Sequence, residues 1–527
     1  MSAAMPATDQ DRAFFGHPKG LATLFFTEMW ERFSYYGMRA FLFIYMTEQL
    51  AVGGRGMSKT SAGAVMALFL SSVYLLSLPG GWIADRFLGQ RKAVTLGGIG
   101  IAAGNAFLAW PSDTLFYPGL ALIALGTGLL KPNISTIVGQ LYGKDDIRRD
   151  SGFTIYYMGI NIGATFSPFV CGYLAQADSF RAFLAGHGID PNLAWHFGFG
   201  AAAVGMLGGL IQYTLWQGWL GKAGKEPTIP ADPNRAAFDR KVLGGIGAAL
   251  VAILALVVVF EPSESITVNT VGIGLAVGSI ALFFGLYGTA RDAGEKRRII
   301  AMIPLFVGAI GFFGIFEQAS TTLSAFAQDE TSHTFLGLSI PASYYQSVNA
   351  ILIIVLAPVF AWMWYALARA KREPSSVMKF AIGMIVIALA FVVMLPTLKS
   401  VLASPKQNSV SAAFLIALYF LFTCSELFIS PVGLSSMSKL APPRLAGMVM
   451  GTWFLAAANG NYLAGRAAGL LDNRGYDFLF IFMIVVSGVM AAGLFVVAPM
   501  IRRMMAADEA EGTAGTSDLP PARVLEE

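Results

Sequence analysis

The feature that most constrains this chain is the recurrence of apolar runs about 20 residues long, the length an α-helix needs to cross a hydrocarbon core of roughly 30 Å. About fourteen can be marked. They cover residues 21–49, 59–84, 91–110, 115–141, 150–175, 194–219, 241–260, 268–290, 299–327, 342–368, 376–396, 411–436, 445–470 and 478–501. In lipid every backbone N–H and C=O must be satisfied within the segment, so these runs read as helices. Only 13% of residues are charged and 55% are hydrophobic, whereas soluble domains carry about 25% charged residues. The expected fold class is therefore an all-α integral membrane protein.

Orientation follows from Lys and Arg, which collect in cytoplasmic loops. Alternate connections hold Arg86, Arg91 and Lys92; Lys144, Arg148 and Arg149; Lys222, Lys225, Arg235, Arg240 and Lys241; Arg291, Lys296, Arg297 and Arg298; Arg369, Lys371, Arg372 and Lys379; and Arg502 and Arg503. The opposite connections, such as PSD at 111–113 and EPSESITV at 261–268, are poor in basic residues. An even number of spans then places both termini in the cytoplasm. The first twenty residues lack the basic start, apolar centre and cleavage site of a secretory signal. A net charge of +4 is explained by this topology, and no nucleic-acid partner is expected. Cys171 and Cys424 lie in apolar runs and read as packing residues, not as a disulfide framework.

Two runs, VLGGIGAALVAILALVVVF and TVGIGLAVGSIALFFGLYG, contain no ionisable residue and read as an inserted hairpin in contact with lipid. Six spans remain on either side, the arrangement of a transporter built from two halves. The expected organisation is a cytosolic N-terminal segment 1–20, a six-helix bundle 21–221, a linker with the transmembrane hairpin 222–298, a second six-helix bundle 299–505, and a disordered cytosolic tail 506–527.

Residues 28–39, EMWERFSYYGMR, place four charges inside the first span. A charge at the bilayer centre costs roughly 2.5–3.5 kcal/mol even on insertion scales, so these need a polar interior. At about 100° per residue Glu28, Arg32, Tyr35 and Arg39 share one stripe, with Glu31 and Tyr36 at its margins. Other spans add Lys131, Glu317 and Glu426. Arg32, Arg39 and Lys131 thus face Glu28, Glu31, Glu317 and Glu426, one carboxylate in excess. Such a carboxylate holds a proton unless a cationic ligand group pairs with it. Arg39 and Glu317 lie at matched depth in their spans and are expected to meet across the halves. The alternative, salt-bridged glue between helices without a transport role, stays open on these residues alone.

EMWERFSYYGMR resembles the ExxERFxYYG motif of the proton-dependent oligopeptide transporter family, a branch of the major facilitator superfamily. The likeness continues through GGWIADRFLGQRK, GTGLLKPNISTIVGQLY, FTIYYMGINIGA, FEQAS and SELFISPVGLSSMSKLAPPRLAGMVMGTWFL, in order over nearly the whole chain. The resemblance implies the major facilitator fold with two six-helix bundles plus the inserted hairpin of bacterial members. It implies proton coupling through Glu28, Glu31, Arg32, Lys131 and Glu317. It further implies that Arg39 and Lys131 face a peptide carboxylate, that Glu426, Asn161 and Asn349 receive its amino terminus, and that Tyr35, Tyr36, Tyr74 and Trp453 line the pocket. Asp85 and Arg86 would latch the cytoplasmic ends of helices. A zwitterionic peptide needs such a cationic clamp at one end and an anionic one at the other.

No Ser/His/Asp set, metal-spaced His or Cys cluster, or phosphate-binding loop is present. The four histidines, at 17, 187, 196 and 333, avoid the second span, where animal members carry one. The chain is therefore expected to be no enzyme and to use neither cofactor nor metal, with the proton as coupling ion. The expected function is proton-coupled import of di- and tripeptides by alternating access, in the bacterial inner membrane, as a monomer among lipid. Alternatives are another cargo, such as nitrate, a nucleoside or a drug, or a membrane receptor that binds peptides without moving them. A receptor would call for an appended signalling domain.

Overall fold

The computed structural model describes residues 11–143, 146–229, 237–245, 266–335, 337–403, 405, 408–440 and 446–517. Lys144, Arg235, residues 246–265 of the expected hairpin and its turn, and residues 518–527 lie outside the described residues, as do the side chains of Arg502 and Arg503. The first half comprises α1 (Lys19–Thr47), α2 (Lys59–Leu75) continued by α3 (Ser77–Ile83), α4 (Gln90–Ala109), α5 (Asp113–Gln140), α6 (Arg149–Gln176), short α7 (Asp178–Gly186) and α8 (Ala194–Trp216). Between the halves lie α9 (237–245) and α10 (Ile266–Thr289). The second half comprises α11 (Ala293–Phe316), α12 (Thr322–Asp329), α13 (Tyr345–Arg369), α14 (Ser376–Met394), α15 (Leu398–Ala403), α16 (Ala412–Leu440), α17 (Ala446–Ala468) and α18 (Leu471–Ser517). Among the described residues ten helical stretches are long and apolar enough to cross a membrane. α1 is not among them because of its charges. α18 runs as helix to Ser517, so part of the tail expected to be disordered is described as helix.

Within the first half α1 packs on α6 and α8, and α4 on α5 and α8; within the second, α11 packs on α17 and α18, and α14 on α16 and α18. The halves meet where α2 crosses α17 and α6 crosses α13. At the first crossing the backbones touch: a Cβ on Gly465 would lie 2.4 Å from Ala67 N, and one on Gly63 2.5 Å from Gly465 O. Only glycine permits that approach. Polar contacts seal the same side. Lys59 Nζ lies 2.7 Å from Asp329 Oδ2, and Thr60 donates to Asp472 Oδ2 from its backbone N (2.7 Å) and its Oγ1 (2.9 Å). Gln176 Nε2 reaches Gln328 Oε1 at 3.1 Å. These contacts lie at the end of the molecule opposite the basic connections, and that mouth is closed.

The span expected over 299–327 is broken. α11 ends at Phe316, a 3₁₀ turn covers Glu317–Ser320, and α12 starts beyond Thr321, whose φ of −129° and ψ of −92° leave the helical region. Carbonyls freed inside a membrane must find donors. Gln318 Nε2 serves Gly314 O (3.0 Å) and Ala464 O (3.2 Å). Ala319 O receives Gln346 Nε2 and Tyr419 Oη. A two-residue antiparallel ladder, Thr334–Phe335 against Leu338–Ser339, then leads to α13.

On the opposite side the linker is laced to the first half. Arg91 donates from Nε to Ala223 O (2.7 Å) and from its backbone N to Gly224 O (2.9 Å), and Gly224 N donates to Gln140 Oε1 (2.6 Å). Asp85 Oδ1 accepts from Gln90 Nε2 (2.7 Å) and Thr228 Oγ1 (3.1 Å). Arg86 Nη1 grips both Asp239 oxygens of α9, at 2.9 and 2.8 Å. α10 packs on α2, α11 and α17, and Asn459 Nδ2 donates to its Ser279 Oγ at 3.0 Å. A neighbouring strap precedes α1: His17 Nδ1 is 2.9 Å from Tyr142 Oη, and Ser151 Oγ lies 3.5 Å from Nε2.

Two outcomes are expected. Gly465→Val inserts atoms where Ala67 backbone stands, so the closed mouth should open. A cysteine placed at Ser58 should react several-fold faster with an impermeant maleimide than in the unwedged protein, and equal rates would exclude the crossing as the seal. At the strap, burial and then the Arg148 guanidinium hold the His17 imidazole below its ordinary 6.5, against a smaller opposing effect of Asp146. The folded strap thus binds a proton less readily than the free segment. Its contribution is full above pH 6.5 and is lost as pH falls through the depressed folded value. A nitroxide at Phe15 should gain mobility on acidification from pH 7.5 to 5.5, and His17→Gln should flatten the profile.

Candidate functional site

The charged stripe of α1 is buried: Glu28 is 2% exposed, Glu31 0%, Arg32 4% and Arg39 7%. Burial of this kind is tolerated only with partners, and each charge has one. Arg32 Nε lies 2.9 Å from Glu28 Oε1 and 2.5 Å from Glu31 Oε2. Tyr156 Oη of α6 donates to Glu28 Oε2 at 2.7 Å. Lys131 Nζ on α5 sits over the Tyr74 ring, 4.2 Å from its centroid, close enough to act electrostatically on Glu31 and Arg32. Tyr35 and Tyr36 stand between the two arginines, whose guanidinium carbons lie 5.8–6.0 Å from both ring centroids.

Arg39 Nη2 and Glu317 Oε2 form an ion pair between the halves. Glu317 opens the 3₁₀ turn that follows α11, and its side chain is buried. The pair bounds a cavity of about 90 Å³. Its wall includes Tyr36, Arg39, Asn161, Glu317, Asn349 and Glu426 among the residues expected from sequence, together with Tyr157, Phe316, Gln346, Tyr419 and Phe422. Asn349 Nδ2 donates to Glu426 Oε2 (2.9 Å) and Thr423 Oγ1 (3.0 Å). Among the described residues no Lys, Arg or His lies within ion-pair distance of Glu426. Asn161 Nδ2 is turned back to Tyr157 O at 3.1 Å.

The remaining expected residues sit elsewhere. Trp453 meets Phe313 edge-on at 5.7 Å and covers Gly433, away from the cavity wall. Tyr35 stacks on Phe69. Tyr74 and Lys131 pair with each other beside the stripe. Asp85 accepts from Gln90 at the start of α4 and from Thr228 of the linker, and Arg86 holds Asp239 of α9. Tyr156 and Gln346 were missed by the sequence reading, although each is a polar side chain within an apolar helix, which is the signal that singled out Lys131 and Glu426. The cavity therefore has one cation held by one acid, and a second acid without a cation. Such a site offers a carboxylate for an ammonium and, once the pair opens, a guanidinium for an anion.

Residues 91–478 match the family described as PTR2: POT family. The chain belongs to the POT family. Among POT relatives, the peptide transporter YePEPT of Yersinia enterocolitica is 38% identical over 96% of this chain and 99% of its own length. The di-/tripeptide transporter of Lactococcus lactis subsp. cremoris is 36% identical over 85% of this chain and 88% of its own. A crystal structure of a mutant POT peptide transporter in complex with alafosfalin superposes with a TM-score of 0.83 at 38% identity, covering 95% of this chain and all of that one. The protein is thus a multi-pass membrane transporter of the POT family with the major facilitator fold, and not an enzyme.

Proposed function

We propose that this POT-family protein is a proton-coupled importer of di- and tripeptides that works by alternating access between its two halves. The observation that carries the reading is the polarity of the cavity. Glu426, held by Asn349 and without a cation, is suited to a peptide ammonium. Arg39, with Lys131 nearby on the same half, is suited to the carboxylate, provided Glu317 lets go. A proton on Glu317 would cancel the pair, free Arg39 and remove the tie that closes the mouth at that depth. Proton uptake, carboxylate binding and the movement of the halves are then one linked equilibrium. The cavity, at about 90 Å³, is smaller than the 300–1,000 Å³ of ordinary ligand pockets. Peptide entry therefore requires the halves to part.

Glu28, Glu31, Arg32 and Lys131 form the second coupled group, in which one arginine serves two carboxylates. In this reading one of those carboxylates exchanges a proton with the cytosol as Lys131 shifts between partners. The peptide relatives named above support the cargo. The basic connections support a reading with both termini in the cytoplasm and the closed mouth outside, in the bacterial inner membrane.

The deciding experiment is uptake of labelled dialanine into proteoliposomes with and without an inward proton gradient. Accumulation above equilibrium is expected only with the gradient. Glu31→Gln and Lys131→Ala should each abolish it while leaving the protein folded and inserted. Uphill uptake by both variants would remove the proton-relay assignment. A second outcome tests polarity. A charge-assisted hydrogen bond contributes about 1.5–3 kcal/mol, so N-acetylation should weaken competition by dialanine roughly ten- to hundredfold. In Glu426→Gln the unmodified peptide should bind weakly and acetylation should add little, because both changes delete the same contact. Fully additive losses would show that Glu426 does not receive the amino terminus.

A further inference from the structure

A second cavity, of about 360 Å³, opens on the closed-mouth face. It is lined by both halves: Glu48, Gln176, Asp178 and Arg181 come from the first, Gln328 and His333 from the second, and the Trp195 ring forms part of the wall. Its volume falls within the range of small-molecule sites.

Most of the side-chain donors around it are engaged; the Ser339 hydroxyl is the exception among the described residues. Gln176 Nε2 is given to Gln328 Oε1 and Gln328 Nε2 to Glu48 Oε2, each at 3.1 Å. The Arg181 guanidinium is turned to the carbonyls of Val52, Ala175 and Pro191 at 3.2–3.4 Å. Trp195 Nε1 is given to Val52 O at 3.0 Å. His333 Nε2 faces Gln328 O at 3.2 Å, which leaves Nδ1 as an acceptor. What remains open is chiefly acceptor capacity: Glu48 Oε1 accepts from Gln49 N and Oε2 from Gln328 Nε2, which leaves the second lone pair of each, and the Asp178 carboxylate makes no hydrogen bond or ion pair among the described residues. Two carboxylates stand against one guanidinium. A ligand that brings donors and positive charge would complete this lining, and an anion would not.

We propose that this cavity binds a small linear organic cation with ammonium ends, and that the occupant locks the transporter with its outer mouth closed. The second half of the statement follows from the lining alone. The walls belong to two halves that separate when the mouth opens, so the cavity exists in one state and its ligand can favour only that state. Occupancy stabilises the closed form by mass action. It acts on the empty carrier before the mouth reopens, so saturating peptide outside does not displace it. The proposal rests on the orientation and cycle argued above.

The probe is 1,4-diaminobutane added outside cells that take up labelled dialanine, with potassium chloride at equal ionic strength as control. The expected result is a fall in maximal uptake that excess dialanine does not relieve. Asp178→Asn, whose exposed carboxylate is no part of the transport site, should keep normal uptake yet need about two- to fivefold more diamine, the size expected of one exposed ion pair. Adding Glu48→Gln should weaken the effect further. Thermal stabilisation of the purified protein by the diamine, lost in the same variants, reads binding without transport. A wild type that takes up no dialanine but is stabilised by the diamine would defeat the proposed function and not the site. Inhibition relieved by dialanine, inhibition equal in wild type and variants, or no inhibition together with no stabilisation would each overturn the site.

Discussion

The arrangement of this protein depends on one constraint: a charge placed in hydrocarbon must bring its partner. Breaking a buried pair by removing one member costs about 3–5 kcal/mol, far more than an exposed pair is worth. α1 carries four charges across the membrane and therefore cannot face lipid. It becomes the axis of the first half, wrapped by α6 and α8. Arg32 satisfies its charge within α1 by taking Glu28 and Glu31. Arg39 finds its partner on the other half, so its charge is satisfied only while the two halves stay together.

The break in α11 follows from the same constraint. The backbone keeps right-handed helical angles through Glu317 and leaves them only at Thr321. The 3₁₀ turn leaves carbonyls without helical partners, and donors from Gln318, Gln346 and Tyr419 answer them. Those donors come from the turn itself and from two neighbouring helices, so the bend is tied to the positions of α13 and α16. A shift of either helix moves Glu317 relative to Arg39. Gln346 also lines the cavity, so the cavity wall and the bend share one side chain.

Much of this was legible in the chain. The apolar runs located most of the described helices to within a few residues, because length and hydropathy are local properties; the exceptions are α11, which starts at Ala293 and ends at Phe316, and α18, which runs from Leu471 to Ser517. The α1 stripe was legible because helical periodicity is fixed, and the meeting of Arg39 with Glu317 because rise per residue converts position into depth. The break at Glu317 was not. FEQAS contains neither proline nor glycine, and its bend is held by tertiary donors that no local pattern announces. Trp453 illustrates the converse limit, since a residue type suited to a pocket packs against Phe313 instead. The grip of Arg86 on Asp239 was hidden because its partner lies 153 positions away in a linker that composition marks only as polar.

The contacts that close the mouth opposite the basic connections differ in kind, and the difference decides what can open it. Lys59–Asp329, Thr60–Asp472 and Gln176–Gln328 lie near the surface, where each is worth about 0–1 kcal/mol because water competes for every group. Thermal motion can break them one at a time. Arg39 and Glu317 are screened by protein on all sides, and parting them as charges at about 3–5 kcal/mol lowers the open population by roughly two to four decades. Only an event that changes the charge of one member, or supplies a replacement for it, removes that barrier. A proton on Glu317 would do the first, and another anion beside Arg39 would do the second. The deep pair therefore sets the main barrier to parting the halves, while the shallow contacts add smaller increments at the mouth.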